Sequence, residues 1–163
     1  MHTELLSNYD VVLYADIDEM IMHENLYDIL HTEFDTCLVT RGVEIIQKVD
    51  VESEFQFEND ILSQRNYIIY STWYDKALIT NKNVPWVDGK HNHNMYNNHV
   101  DGLYLIHLGK ICINLFNNNW QNTIDTYPGH MVVTHDFDNY YIENFSNNAI
   151  QIPDNIKKLI KLI

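Results

Sequence analysis

The sequence predicts a mixed α/β fold, and three observations carry that expectation. Short apolar, β-branched runs alternate with stretches of helical periodicity along the 163 residues. Hydrophobic residues make up 45% against 20% charged, the balance of a chain that buries a core. Five glycines and three prolines leave little material for long linkers, so the length reads as one domain, 1–163.

The elements follow in order. Residues 3–8 read as the end of a short helix, and NYDVVLYAD places a strand over 10–16. After an acidic turn, ENLYDILHT (24–32) sets Leu26, Ile29 and Leu30 on one helical face. TCLVTR (36–41) and VEIIQK (43–48) read as two strands on either side of Gly42. Residues 49–60 are acid-rich and predict an exposed loop. NYIIYS (66–71), KALIT (76–80) and GLYLIHL (102–108) are strands, and HMVVTH (130–135) is extended. KICINLFNN (110–118) carries Ile111, Ile113 and Leu115 on a helical face, and FDNYYIENF (137–145) is a helix. Pro153 and Asp154 open a last helix whose lysines complement its C-terminal dipole. The Asn-rich patches HNHNMYNN (91–98) and NNNWQN (117–122) read as loops, and no internal repeat is present.

Charge narrows the function. A net charge of −13 argues against nucleic acid or an anionic membrane as partner, since either would be repelled. It would repel a nucleotide or phosphate ligand too, unless a cation intervenes. Cys37 and Cys112 have no CxxC spacing and read as buried thiols of a reduced compartment. No apolar run approaches the ~20 residues of a membrane span. The opening MHTELLSNYD is too polar and acidic for a secretion signal, so a cytoplasmic protein is expected.

Against that background, VVLYADIDEMI (11–21) places Asp16, Asp18 and Glu19 at the end of an apolar run. In an extended segment, side chains two apart point the same way, so Asp16 and Asp18 would reach one ion together. Hard oxygen ligands suit Mg²⁺ or Mn²⁺, above all when substrate phosphates complete the shell. A run as apolar as VVLYA would set the turn on a rigid central strand, at the carboxyl end where α/β folds bind ligands. A solvated acidic turn is the plain alternative. An EF-hand loop is excluded, because Ile21 stands where its glycine is needed.

The motifs line up with a family. ADIDEMI resembles the D-x-D-E-F segment of GT-A-type, family-2-like glycosyltransferases. LSQRNY (62–67), WYDKALI (73–79), VPWVDGKH (84–91), GLYLIHLGK (102–110) and IQIPDNIKK (150–158) are similar to later segments of the same family, in the same order. The resemblance implies a partial GT-A-like, nucleotide-diphospho-sugar transferase fold: a mixed sheet flanked by helices. It implies a nucleotide-sugar donor, a UDP-sugar first among them, an acceptor hydroxyl, and Mn²⁺ or Mg²⁺ on Asp16 and Asp18. His107 is its third candidate metal ligand, with a buried core histidine as the other reading. Glu19 would support the metal acids or orient the acceptor, and Asp88 would be the base. Trp86, Lys76, Arg65 and His91 are the candidate substrate contacts, for sugar stacking and diphosphate neutralisation, with a core tryptophan and cations paired to surface acids as the other reading. The histidines around 91–99 are otherwise read as solvated loop residues.

Only fifteen residues precede Asp16, whereas in that family the nucleotide-binding half comes first. The chain is therefore expected to represent the metal-and-acceptor half. Its open sheet edge would pair with a second copy or with a complementary N-terminal half. Two further readings remain. One is an interaction subunit without catalysis, or half of a split transferase. The other is a HAD-like phosphatase with Asp16 as nucleophile, although Met20 stands where that class commonly carries Thr or Val.

Overall fold

The computed structural model describes residues 2–32, 37–72, 75–82, 86–87, 92–93, 97–126 and 136–161. The fold is mixed α/β, a mixed sheet flanked by helices. Along the chain the elements are α1 (His2–Leu6), β1 (Val12–Leu13), β2 (Glu19–Met22), α2 (Leu26–His31), β3 (Cys37–Ile46), α3 (Ile61–Gln64), β4 (Tyr67–Tyr70) and β5 (Ala77–Thr80). Then come β6 (Trp86–Val87), β7 (Asn92–His93), β8 (Asn97–His107), α4 (Ile113–Thr126), α5 (Phe137–Asn144), β9 (Ile150–Gln151) and α6 (Asp154–Ile160). They gather into two compact units, Met1–Val43 with Tyr70–Ile106, and Glu44–Ile69 with His107–Ile163.

In the first unit β5 is flanked by β1 and by the start of β3, both antiparallel, with Leu13 and Leu38 each opposite Ile79. β2 pairs with β8. Leu38, Ile79 and Leu103 form the buried centre, and Leu26, Ile29 and Leu30 of α2 pack on it. That is the face the apolar spacing predicts. α2 has no side-chain cap at its N-terminus; at its C-terminus the Thr32 hydroxyl donates to Asp28 O at 2.8 Å, and the apolar contact adds the packing that so short a helix needs.

The second unit is built on aromatic packing. Ile46, Phe116 and Tyr141 are buried together, ringed by Trp120, Tyr140 and Phe145. The Phe116 ring lies 5.3 Å from both Trp120 and Tyr141, bringing α4 and α5 together. β9 pairs antiparallel with β4. Asp136 caps α5 by accepting the Asn139 N–H at 3.1 Å. α6 buries Ile156, Leu159 and Ile160.

Four expectations are corrected. The two strands drawn around Gly42 are one, β3, because Gly42 keeps extended pairing: its N–H donates to Asp75 Oδ1 at 2.7 Å and its C=O accepts from Ser71 at 3.1 Å. NNNWQN is helical, not a loop; Trp120 is drawn into the Phe116–Tyr140 cluster, and that packing overrides the weak helix propensity of asparagine. The strand expected over 10–16 pairs only as Val12–Leu13, and it pairs with β5 alone among the described strands, so it is an edge and not a central strand. Within HNHNMYNN, Asn92–His93 form β7, and β8 starts at Asn97. HMVVTH lies outside the described residues.

Candidate functional site

The last backbone link of β1 is the Tyr14 N–H, which donates to Leu78 O at 2.9 Å. Beyond it the chain turns back on itself. Asp16 C=O accepts from the Glu19 N–H at 3.0 Å, closing a four-residue turn that leads straight into β2. Ile17 stands at its tip, fully exposed, and the Asp16 side chain is 77% exposed. Asp18 is half-buried, and Glu19 is turned inward. The two aspartates thus sit on a turn, not on one face of an extended strand as their spacing suggests.

Glu19 is the hinge of this arrangement. Its Oε1 accepts from Lys76 Nζ at 2.5 Å, and its Oε2 accepts from the Asp16 N–H at 3.0 Å. The glutamate and lysine side chains are 2% and 5% exposed. Lys76 Nζ also lies 3.8 Å from Asp16 Oδ2. The lysine is placed by Thr40, whose N–H and hydroxyl both donate to Lys76 O, at 3.0 and 3.1 Å. A buried charge is tolerated only when paired and hydrogen-bonded, and both conditions hold here. The ammonium beneath the turn offsets the charge of the exposed Asp16 as well as that of Glu19.

Hard divalent cations take one or two carboxylates and complete their shell with water and substrate phosphates. At this turn the Asp16 carboxylate has Lys76 Nζ 3.8 Å from its Oδ2. Among the described residues no group of three His, Cys, Asp or Glu side chains converges as a ready metal cage.

The other sequence-predicted residues separate. Arg65 belongs to the second unit and is fully buried. Its Nε donates to Ile111 O at 2.5 Å, and one terminal nitrogen donates to Ser53 and Gln64 carbonyls at 3.1 and 2.8 Å. It is a structural cation, tying three segments together, with no surface to offer a diphosphate. His107, also in the second unit, is buried with Nδ1 3.5 Å from Glu44 Oε2. Trp86 lies in β6, its backbone opposite His93. Asp88 and His91 lie outside the described residues.

Compared with known proteins, the chain matches no family model, no curated protein and no solved structure.

One charged cluster escaped the sequence reading. Glu44, 1% exposed, is ion-paired with Lys110 and faces His107. Burial pushes its carboxyl up, but the lysine and histidine together outweigh that and hold it below the usual carboxylate range. Tyr141 fixes the lysine's backbone: its hydroxyl donates to Lys110 O at 2.7 Å and accepts the Gln47 N–H at 2.9 Å. Burial pushes the tyrosine hydroxyl far up, so it stays protonated. The signals were present: an acid inside the apolar run of β3, and a His-Leu-Gly-Lys segment whose glycine clears room for the ring. A Cβ on Gly109 would collide with His107.

Proposed function

We propose that this chain is a glycosyltransferase domain acting on a nucleotide-sugar donor, with Mn²⁺ or Mg²⁺ held by Asp16 and Asp18. The observation that carries this reading is the acidic turn: Asp16 at the surface and Asp18 half-buried two residues on, with Asp16 held by the Glu19–Lys76 pair. The metal would neutralise the donor diphosphate, which a chain of charge −13 otherwise repels. The protein's own part is positional. Glu19 fixes the Asp16 backbone, and Lys76 offsets the local negative charge. The motif resemblance supplies the substrate class, a nucleotide-sugar with UDP first, and Asp88 as the candidate base.

Thermal unfolding with UDP and Mn²⁺, separately and together, tests this reading. Wild type at about 100 times the dissociation constant should gain roughly 2.7 kcal/mol, a shift of about 5–11 °C. The shift should need both components and vanish in Asp16→Ala/Asp18→Ala. A shift with UDP alone, or one that survives the double substitution, would place the nucleotide elsewhere. Metal-dependent hydrolysis of a phosphomonoester, lost in Asp16→Asn, would replace the transferase with a phosphatase.

The edge at β1 favours a second reading, an interaction subunit. Tyr9, Leu13 and Ile17 are exposed along this segment, at 62%, 41% and 106%, and an unpaired edge invites another chain. Self-association in sedimentation velocity, abolished by Leu13→Lys, supports it; a monomer at all concentrations removes it for a second copy.

A further inference from the structure

The first unit holds a hollow of about 430 Å³, lined among others by Arg41, Asp75, His99, Asp101 and Tyr104. That volume lies within the range of small-molecule sites. Arg41 is the single exposed position of β3, and its guanidinium carbon sits 4.0 Å from the centre of the Tyr70 ring. Stacking on an aromatic face orders the group and leaves its in-plane N–H donors available. Among the described residues no carboxylate lies within ion-pair distance of it. In a chain of charge −13 that is unusual.

The two acids of the hollow are anchored differently, Asp75 through its carboxylate and Asp101 through its backbone. Asp75 has one oxygen fixed by the Gly42 N–H at 2.7 Å, and its own N–H donates to Thr72 O at 3.2 Å. Asp101 is positioned through its carbonyl, which lies 3.1 Å from His23 Nε2. His23 Nδ1 accepts the Asn25 N–H at 2.9 Å, so the ring proton sits on Nε2 and donates to Asp101. The next residue, Gly102, has φ +79°, and the His23 ring lies 3.4 Å from where a Cβ would stand. Glycine is needed there.

We propose that this hollow binds a small zwitterion, an α-amino acid, with its carboxylate on Arg41 and its ammonium on Asp75 and Asp101. A bare anion would meet two carboxylates there, and a bare cation would meet the guanidinium. A ligand carrying both signs satisfies each group with its opposite. Tyr104, 7% exposed, supplies a wall for the ligand's side chain. The inference is independent of the transferase reading.

The test is a titration of ¹⁵N-labelled protein with serine, glutamine, leucine and phenylalanine, followed at the Gly42 and Gly102 amides. At least one should give saturable shifts at both. Its decarboxylated amine and its deaminated acid should each bind at least about tenfold more weakly. Arg41→Ala should weaken binding by about tenfold or more, with Asp75→Asn and Asp101→Asn weakening it less. Arg41 is exposed and its removal loses only the stacking on Tyr70, so its variant should stay folded with a midpoint within a few degrees of wild type. No saturable shift with any of the four overturns the proposal. So does a deaminated acid that binds as tightly as its parent, or Arg41→Ala binding like wild type.

Discussion

Lys76→Met puts the acidic turn to its most direct trial. Methionine keeps most of the lysine's length, so the substitution removes charge and hydrogen bonding without opening a large cavity. It leaves the Glu19 carboxylate, 2% exposed, with the Asp16 N–H at 3.0 Å as its remaining partner. Stranding one member of a buried pair costs about 3–5 kcal/mol. Glu19→Gln is milder, because the lysine keeps Asp16 Oδ2 at 3.8 Å and that aspartate is well exposed. There the loss should be about 1–3 kcal/mol. The double variant Glu19→Gln/Lys76→Met should recover part of the Lys76→Met loss, since no buried charge remains.

Urea unfolding at pH 7 reads all three, with a shared slope showing that the surface exposed is unchanged. For a chain of this length, 3–5 kcal/mol is roughly 6–20 °C in the thermal midpoint. Hydrogen exchange at the Asp16 amide adds a local readout, because its acceptor is Glu19. If Lys76→Met costs under about 1 kcal/mol and the double variant is additive within about 0.5 kcal/mol, the pair does not hold the turn and the account of the site fails.

Glu44 makes the acid limb of stability steeper. Its folded pKa lies below the unfolded value, so the unfolded chain takes up the proton first as pH falls. The stability it contributes is present above the unfolded value, about 4.5, and is lost as pH falls through the folded one. Glu44→Gln should therefore be less stable at pH 7 and flatter below pH 4.5; an unchanged limb in pH-dependent unfolding refutes this. Gly109→Ala should displace the His107 ring from Glu44 at a cost of about 1–3 kcal/mol, seen as a moved His107 ring resonance, whereas an unmoved resonance at wild-type stability shows that the space is there. Burial pushes the Cys37 thiol up to about 11, so iodoacetamide should label it slowly at pH 8 in the native state and rapidly in urea; fast native labelling would mean that β3 opens readily.

What was legible in the sequence was the part set by local pattern. The face of α2, the strands β4 and β5, the later half of β8, and the helices α5 and α6 follow from spacing and end signals. What escaped was set by partners far along the chain. Glycine separates strands in a sequence reading, yet Gly42 is held inside β3 by an aspartate 33 residues away. Asparagine argues for a loop, yet Trp120 finds an aromatic cluster and its neighbours follow it into α4. At the site, the sequence marks Asp16, Asp18 and Glu19 as a group. It does not reveal that Glu19 turns inward, because its lysine lies 57 residues downstream. Lys76 and Arg65 read as scarce cations suited to a diphosphate, and both are buried in the protein's own pairing.

β3 shows why so many charges are buried here. Of its ten residues only Arg41 is exposed, so there is no apolar alternation to tell one register from the next. The polar positions make that distinction instead. A slip of one residue would carry Glu44 off Lys110 and His107, strip the Thr40 hydroxyl from Lys76 O, and drive Arg41 toward the interior. Each of these strands a buried polar or charged group, at a cost no repacking of leucine and valine would offset. Among the described residues Arg41 is then the one charge of the strand without an ion-pair partner to keep it inside. The register that buries Glu44 is the same register that brings a guanidinium to the hollow.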